Sequence, residues 1–172
     1  MKISIRNSGV TGIVAGLGYL IQAIMGLIKP QTEIFSGTAD YVLEAVFVVA
    51  LLATIIGLLG FHSFAKSRYG KAGTVGSWLA IAGSGLMTIS AIVTLFAGQN
   101  SLGPAFLGGM LLALIGYIIL GSATLRTKVL PILGGAALIL GFPLSVFLSS
   151  LGGGILFGLT WLWLGSFLMK QK

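Results

Sequence analysis

The chain has 172 residues, 56% of them apolar and only 8% charged, with ten Lys or Arg against three Asp or Glu and a formal net charge of +7. A soluble domain carries about a quarter charged residues. The composition therefore excludes a soluble globular enzyme, a disordered tail and, with no cysteine, a disulfide-stapled secreted domain. It describes an integral membrane protein, expected to be one transmembrane domain over 1–172.

A bilayer core about 30 Å thick asks for about 20 mostly apolar residues per crossing, and six stretches of that kind follow one another. The first is expected over about 9–28, between Arg6 and Lys29, and the second over about 41–61, between Asp40 and His62. The third is expected over about 78–97, before the polar turn Gly98-Gln99-Asn100-Ser101. The fourth covers about 105–122, entered by Pro104 and ended before Arg126. From Val129 to Met169 no charge occurs, which is too long for one crossing and suits two. The break is placed at Ser149-Ser150-Leu151-Gly152-Gly153-Gly154, where small residues allow a tight reversal. The fifth helix then covers about 129–148 and the sixth about 153–169. The expected fold is all-α, a six-transmembrane-helix bundle with short loops, the longest being about sixteen residues around 62–77. Barrel strands would alternate apolar and polar residues over about ten positions, and the runs here are continuous.

The first stretch is longer than a signal-peptide core and no small-x-small cleavage site follows it, so it is read as an uncleaved anchor. Lys2, Arg6, Lys66, Arg68, Lys71, Arg126, Lys128, Lys170 and Lys172 fall on alternate segments. Lys29, Glu33, Asp40 and Glu44 fall on the opposite ones. The positive-inside rule then puts both termini in the cytoplasm and makes the helix number even. A bacterial cytoplasmic membrane is the expected location. Tyr41 and Trp78 stand at expected span starts, where amphipathic rings favour the headgroup zone. The basic residues are spread too thinly for a nucleic-acid arm. The partner they suggest is a bilayer with anionic headgroups on the cytoplasmic side.

Small residues recur four apart and mark helix contact faces in lipid: Gly12 and Gly16, then Gly76, Ala80, Ser84 and Thr88, then Gly109 and Ala113. Tight packing within the bundle is the first reading; a homo-oligomer or a partner in a membrane complex is the second. The pairs Leu59-Gly60, Leu120-Gly121 and Leu164-Gly165 each precede a basic segment, which suggests three tandem helical hairpins, although the spacing is irregular. Pro143 interrupts the backbone bonding of the fifth helix; a plain kink is the first reading and a candidate hinge the second.

An ionisable group at membrane depth is a functional candidate. Glu44, about one turn inside the second helix, forms an i, i+4 pair with Asp40; an interfacial acid paired with Lys29 is the plainer role, and an outer acidic site for a cation or substrate is the candidate functional one. Gln22, Thr54, Ser84 and Thr88 form a candidate polar seam, with interhelical hydrogen bonding as the plainer role. His62, the only histidine, is expected at the headgroups with Lys66 and Arg68, and no haem or metal spacing is present. No phosphate-loop or dinucleotide fingerprint occurs, so no cofactor and no catalytic residue is expected. The leading functional expectation is a non-catalytic scaffold, accessory subunit or regulator acting through helix packing. The alternative is a small carrier or channel for a neutral or apolar solute, and a lipid-acting enzyme ranks below both. A carrier requires a polar cavity reaching a surface and touched by Gln22 or Thr88; a scaffold requires a dry centre and an apolar partner face.

Overall fold

The computed structural model describes residues 4–28, 34–99 and 103–171, and these are all-helical. Six α-helices run in order: α1 (Ile5–Ile28), α2 (Thr38–Ala65), α3 (Gly70–Ala97), α4 (Gly103–Thr127), α5 (Ile132–Phe147) and α6 (Gly153–Met169). Lys29 and Glu33 lie outside the described residues.

Local chemistry sets most of the helix ends. α3 stops at Gly98, whose φ of 64° a residue with a Cβ adopts only with strain. Pro104 sits in the first turn of α4, where a missing N–H costs nothing. Pro131 immediately precedes α5. The long final apolar run divides where expected: a 3-10 turn, Ser149–Leu151, leads to Gly152 at φ 81°, and α6 begins at the next residue.

Two expectations are corrected. α1 to α4 are long and apolar enough to cross a membrane, and α6 covers Gly153–Met169 as expected. α5, expected over about 129–148, is shorter, Ile132–Phe147, because Pro131 and the 3-10 turn trim it from both sides. The long loop around 62–77 does not exist. α2 continues to Ala65 and α3 begins at Gly70, leaving a short turn over 66–69. Trp78 is thus about two turns inside α3 rather than at its start. Tyr69 holds this turn. Its buried hydroxyl shares hydrogen bonds with His62 Nδ1 at 2.5 Å and Ser77 Oγ at 2.8 Å, and its ring lies against Gly73. Burial pushes the Tyr69 phenol's pKa upward, so the hydroxyl stays neutral and available to both partners. His62 is half-buried and also packs on the Trp78 ring, with centroids 5.7 Å apart.

Each helix packs on the next in sequence, and α6 returns to pack on α1, so the six form a closed ring. Neighbours are antiparallel. One end of the ring carries Lys66, Arg68, Arg126, Lys128 and Lys170 and is called the basic end; the other carries Asp40 and Glu44 and is called the acidic end. Glycines bring helix backbones together in two long seams. Across α1–α6, a Cβ on Gly16 would sit 2.7 Å from Leu162 N and 2.8 Å from Gly158 O, and one on Gly165 would sit 2.6 Å from Gly9 O. Across α3–α4, a Cβ on Gly76 would sit 2.6 Å from Leu120 N, and one on Gly109 would sit 2.8 Å from Gly83 O. Removing side chains lets dispersion contacts form between backbones, the chief adhesive where lipid cancels the hydrophobic drive. The helices do run as successive hairpins. The two seams, however, join α3 to its hairpin partner but α1 to the far end of the chain, so they do not repeat hairpin by hairpin.

Outside the ring, large apolar side chains point away from the protein: Val10, Val14, Leu17, Ile21 and Ile24 on α1, and Leu107, Leu111 and Ile115 on α4. Inside, the basic half is solid. Trp161, Phe61, Leu58, Leu120 and Leu164 are fully buried there.

Candidate functional site

The acidic half of the ring is hollow. A cavity of about 800 Å³ lies on the ring axis, and all six helices contribute to its wall from their halves nearest the acidic end. α1 supplies Tyr19, Gln22, Ala23 and Gly26, and α2 supplies Asp40, Leu43, Glu44 and Phe47. Met87, Ser90, Ala91 and Thr94 come from α3, and Phe106 and Met110 from α4. Phe142, Ser145 and Val146 of α5 and Gly154 and Phe157 of α6 complete it. Leu27, Phe35 and Ser149 stand at the helix ends and form the rim. Phe35 is held there by backbone pairing: its N–H donates to Gly98 O at 3.0 Å, and Ile34 pairs with Gln99, so this segment crosses the end of α3. Tyr41 packs edge-on against the Phe35 ring at 4.9 Å.

The floor is aromatic. Phe157 lies 4.8 Å from Tyr19 and 5.1 Å from Phe142, ring centre to ring centre, and Phe47 meets Phe106 at 6.1 Å. One layer below, Tyr117 stacks on Phe142 at 5.1 Å, and Trp161 stands edge-on to Phe157 at 6.4 Å. Such pairs add about 0.5–1.5 kcal/mol each beyond burial, so the floor is a cohesive plug. Its polar atoms are unevenly provided for. Tyr19 Oη and Thr54 Oγ1 share a buried hydrogen bond of 3.0 Å, while the buried Tyr117 hydroxyl lies beside Trp161 and Ser84 without a well-aligned hydrogen bond to either.

The candidate residues from the sequence divide among several places. Gln22 is in the cavity wall, where its Nε2 donates to Leu43 O and ties α1 to α2. Asp40 and Glu44 are both in the wall as well. Asp40 accepts hydrogen bonds at Oδ2 from the Ser36 amide, 2.8 Å, and the Ser36 hydroxyl, 3.0 Å, and so fixes the turn into α2. Glu44 is half-buried one turn deeper. Thr54 is below the floor with Tyr19. Ser84 and Thr88 are buried but do not line the cavity, and the Thr88 hydroxyl donates within its own helix to Ser84 O at 2.7 Å. The structure therefore does not join Gln22, Thr54, Ser84 and Thr88 into one seam. Pro143 lies inside α5, beside the wall residue Phe142.

Sequence reasoning missed Ser90, Thr94 and Ser145, whose hydroxyl-bearing side chains line the cavity wall below the rim residue Ser149. Ser90 and Thr94 repeat the four-residue spacing of Ser84 and Thr88 on the same helix, and nothing in the sequence tells which pair looks inward. Among the described residues no cluster of His, Asp or Glu could hold a metal ion. The wall offers an apolar surface, a few hydroxyls and an amide, and two carboxyl groups. That set can bind and orient a small molecule; it contains no arranged nucleophile and base. No family model, no curated protein and no solved structure matches the chain.

Proposed function

We propose that the protein is a carrier for a small solute in a cell membrane, with its cavity open on the non-cytoplasmic side and its cytoplasmic half closed. The observation that carries this reading is the hollow on the ring axis. Every helix contributes to it, Gln22 touches it, and its volume falls within the range of about 300–1,000 Å³ typical of ligand sites. A protein whose role was only to pack against others would have no reason to leave its centre unfilled, since each missing contact lowers stability. The direction follows from charge. Lys66, Arg68, Arg126, Lys128 and Lys170 gather at the end opposite the cavity, and the positive-inside rule places that end in the cytoplasm. The apolar exterior supports a lipid surround. In this form the Tyr19–Phe142–Phe157 floor blocks passage, and transport requires a second arrangement in which it parts.

Gly26 supplies the test. It lines the cavity near the end of α1, and a Cβ built on it meets nothing within 4 Å, so Gly26→Trp adds a large ring at the cavity wall without forcing the helices apart. Proteoliposomes containing the protein are assayed for uptake of a panel of small solutes. The expected result is saturable uptake of at least one solute class, lost in Gly26→Trp while the thermal unfolding midpoint is retained. Uptake that Gly26→Trp leaves unchanged would overturn the reading.

A further inference from the structure

The cavity is chemically lopsided: its wall carries the carboxyl groups of Asp40 and Glu44 and, among the described residues, no Lys, Arg or His. The two acids are differently engaged. Asp40 is committed to the Ser36 turn through both the amide and the hydroxyl. Among the described residues Glu44 makes no hydrogen bond or ion pair, although it is half-buried in the wall. A carboxylate drawn from water without a counter-charge is unfavourable, and a bound positive charge would relieve it. The surroundings say what kind of cation fits. A tightly held divalent metal is gripped by several side-chain donors, four for zinc and more oxygens for calcium, and the described residues offer no group of three or more His, Asp or Glu. Instead the wall is rich in rings: Phe47 is one turn from Glu44 on the same helix, 6.1 Å from Phe106 and 6.4 Å from Tyr19. Ring faces attract cations whose charge is spread over carbon-bearing groups.

Resting on the binding role proposed above, we propose that the cavity takes a lipophilic organic cation, an ammonium or phosphonium carrying aromatic or alkyl groups. Its charged centre sits at the Glu44 carboxylate and its body lies on Phe47, Phe106 and Phe157. The cavity volume suits a molecule of that class, and the aromatic floor offers it an apolar seat.

The test uses the full chain in phosphatidylcholine nanodiscs, with equilibrium dialysis against empty nanodiscs as the blank. Tetraphenylphosphonium is the cationic probe, triphenylphosphine oxide the neutral one and tetraphenylborate the anionic one. The expected result is saturable phosphonium binding, weakened about tenfold or more by Glu44→Gln, largely kept by Glu44→Asp and abolished by Gly26→Trp. Neither of the other probes should compete. If the neutral probe binds as tightly as the phosphonium, is lost in Gly26→Trp and ignores Glu44→Gln, the cavity is a binding site but not one for cations. If no probe saturates, or Gly26→Trp leaves phosphonium binding unchanged, this proposal falls, and the carrier role stands or falls on the uptake panel. Unfolding curves of each variant separate lost binding from lost structure.

Discussion

Closure of the ring depends on the α1–α6 seam, and Gly16 is where that dependence is most easily measured. A Cβ on Gly16 would meet Leu162 N at 2.7 Å and Gly158 O at 2.8 Å, both backbone atoms, against 3.4 Å or more for ordinary contact. Gly16→Ala must therefore push α1 and α6 apart by about 0.6 Å at that point, and neither partner atom can swing away as a side-chain tip could. Overpacking of this kind costs about 1–3 kcal/mol, offset by at most about 1 kcal/mol of improved helix propensity. Gly85→Ala is the control: its Cβ meets nothing within 4 Å, so only the propensity gain applies. The two variants should differ by roughly 2 kcal/mol in unfolding free energy. Titration with denaturing detergent in mixed micelles, followed through tryptophan emission, reads that difference. Equal stability of Gly16→Ala and Gly85→Ala would refute the claim that the glycine seam closes the ring.

Three further outcomes follow from the same geometry. Tyr19→Phe should lower stability by about 1–2 kcal/mol because Thr54 loses its partner, whereas Tyr117→Phe, which deletes a hydroxyl poorly aligned with its neighbours Trp161 and Ser84, should cost less than Tyr19→Phe in the same unfolding assay. Tyr69→Phe should cost about 1–2 kcal/mol by stripping His62 and Ser77 of a shared partner, and hydrogen exchange should rise in the 66–69 turn rather than at the cavity. Lys128 ends α4 at φ 55°, so Lys128→Gly should raise the unfolding free energy by up to about 1 kcal/mol; a loss would mean that its side chain contributes more than its backbone strain costs.

The sequence made the helices legible because lipid demands long apolar runs, and it made some of the punctuation legible too. Gly98 and the Ser149–Gly152 break act as their residue types require. The 66–69 turn was misjudged for a physical reason. Lys66, Arg68 and Lys71 look like loop residues, yet α2 runs on past its apolar stretch to Ala65 and α3 takes Lys71 into its first turn, so only 66–69 remains outside the helices. Ring closure was not legible, since the Gly12–Gly16 pattern says that something approaches closely but not that it is α6. The cavity was hidden for a related reason. In a soluble protein, polarity marks the outside, but here the inside and the outside are both apolar. Which hydroxyls face the hollow is decided by helix rotation against neighbours far away in sequence. Ser84 and Ser90 are chemically alike, and only the assembled ring separates them.

The most direct measurement uses the absence of cysteine in the chain. Single cysteines are placed at Ser145 in the cavity wall and at Ser84 in the packed interior, and sealed membranes of known orientation are treated with a membrane-impermeant thiol reagent. The account predicts that Ser145→Cys is modified from the non-cytoplasmic side and protected from the cytoplasmic side, and that Ser84→Cys is protected from both. Modification of Ser145→Cys from the cytoplasm alone, or equal modification of the two positions, would contradict it.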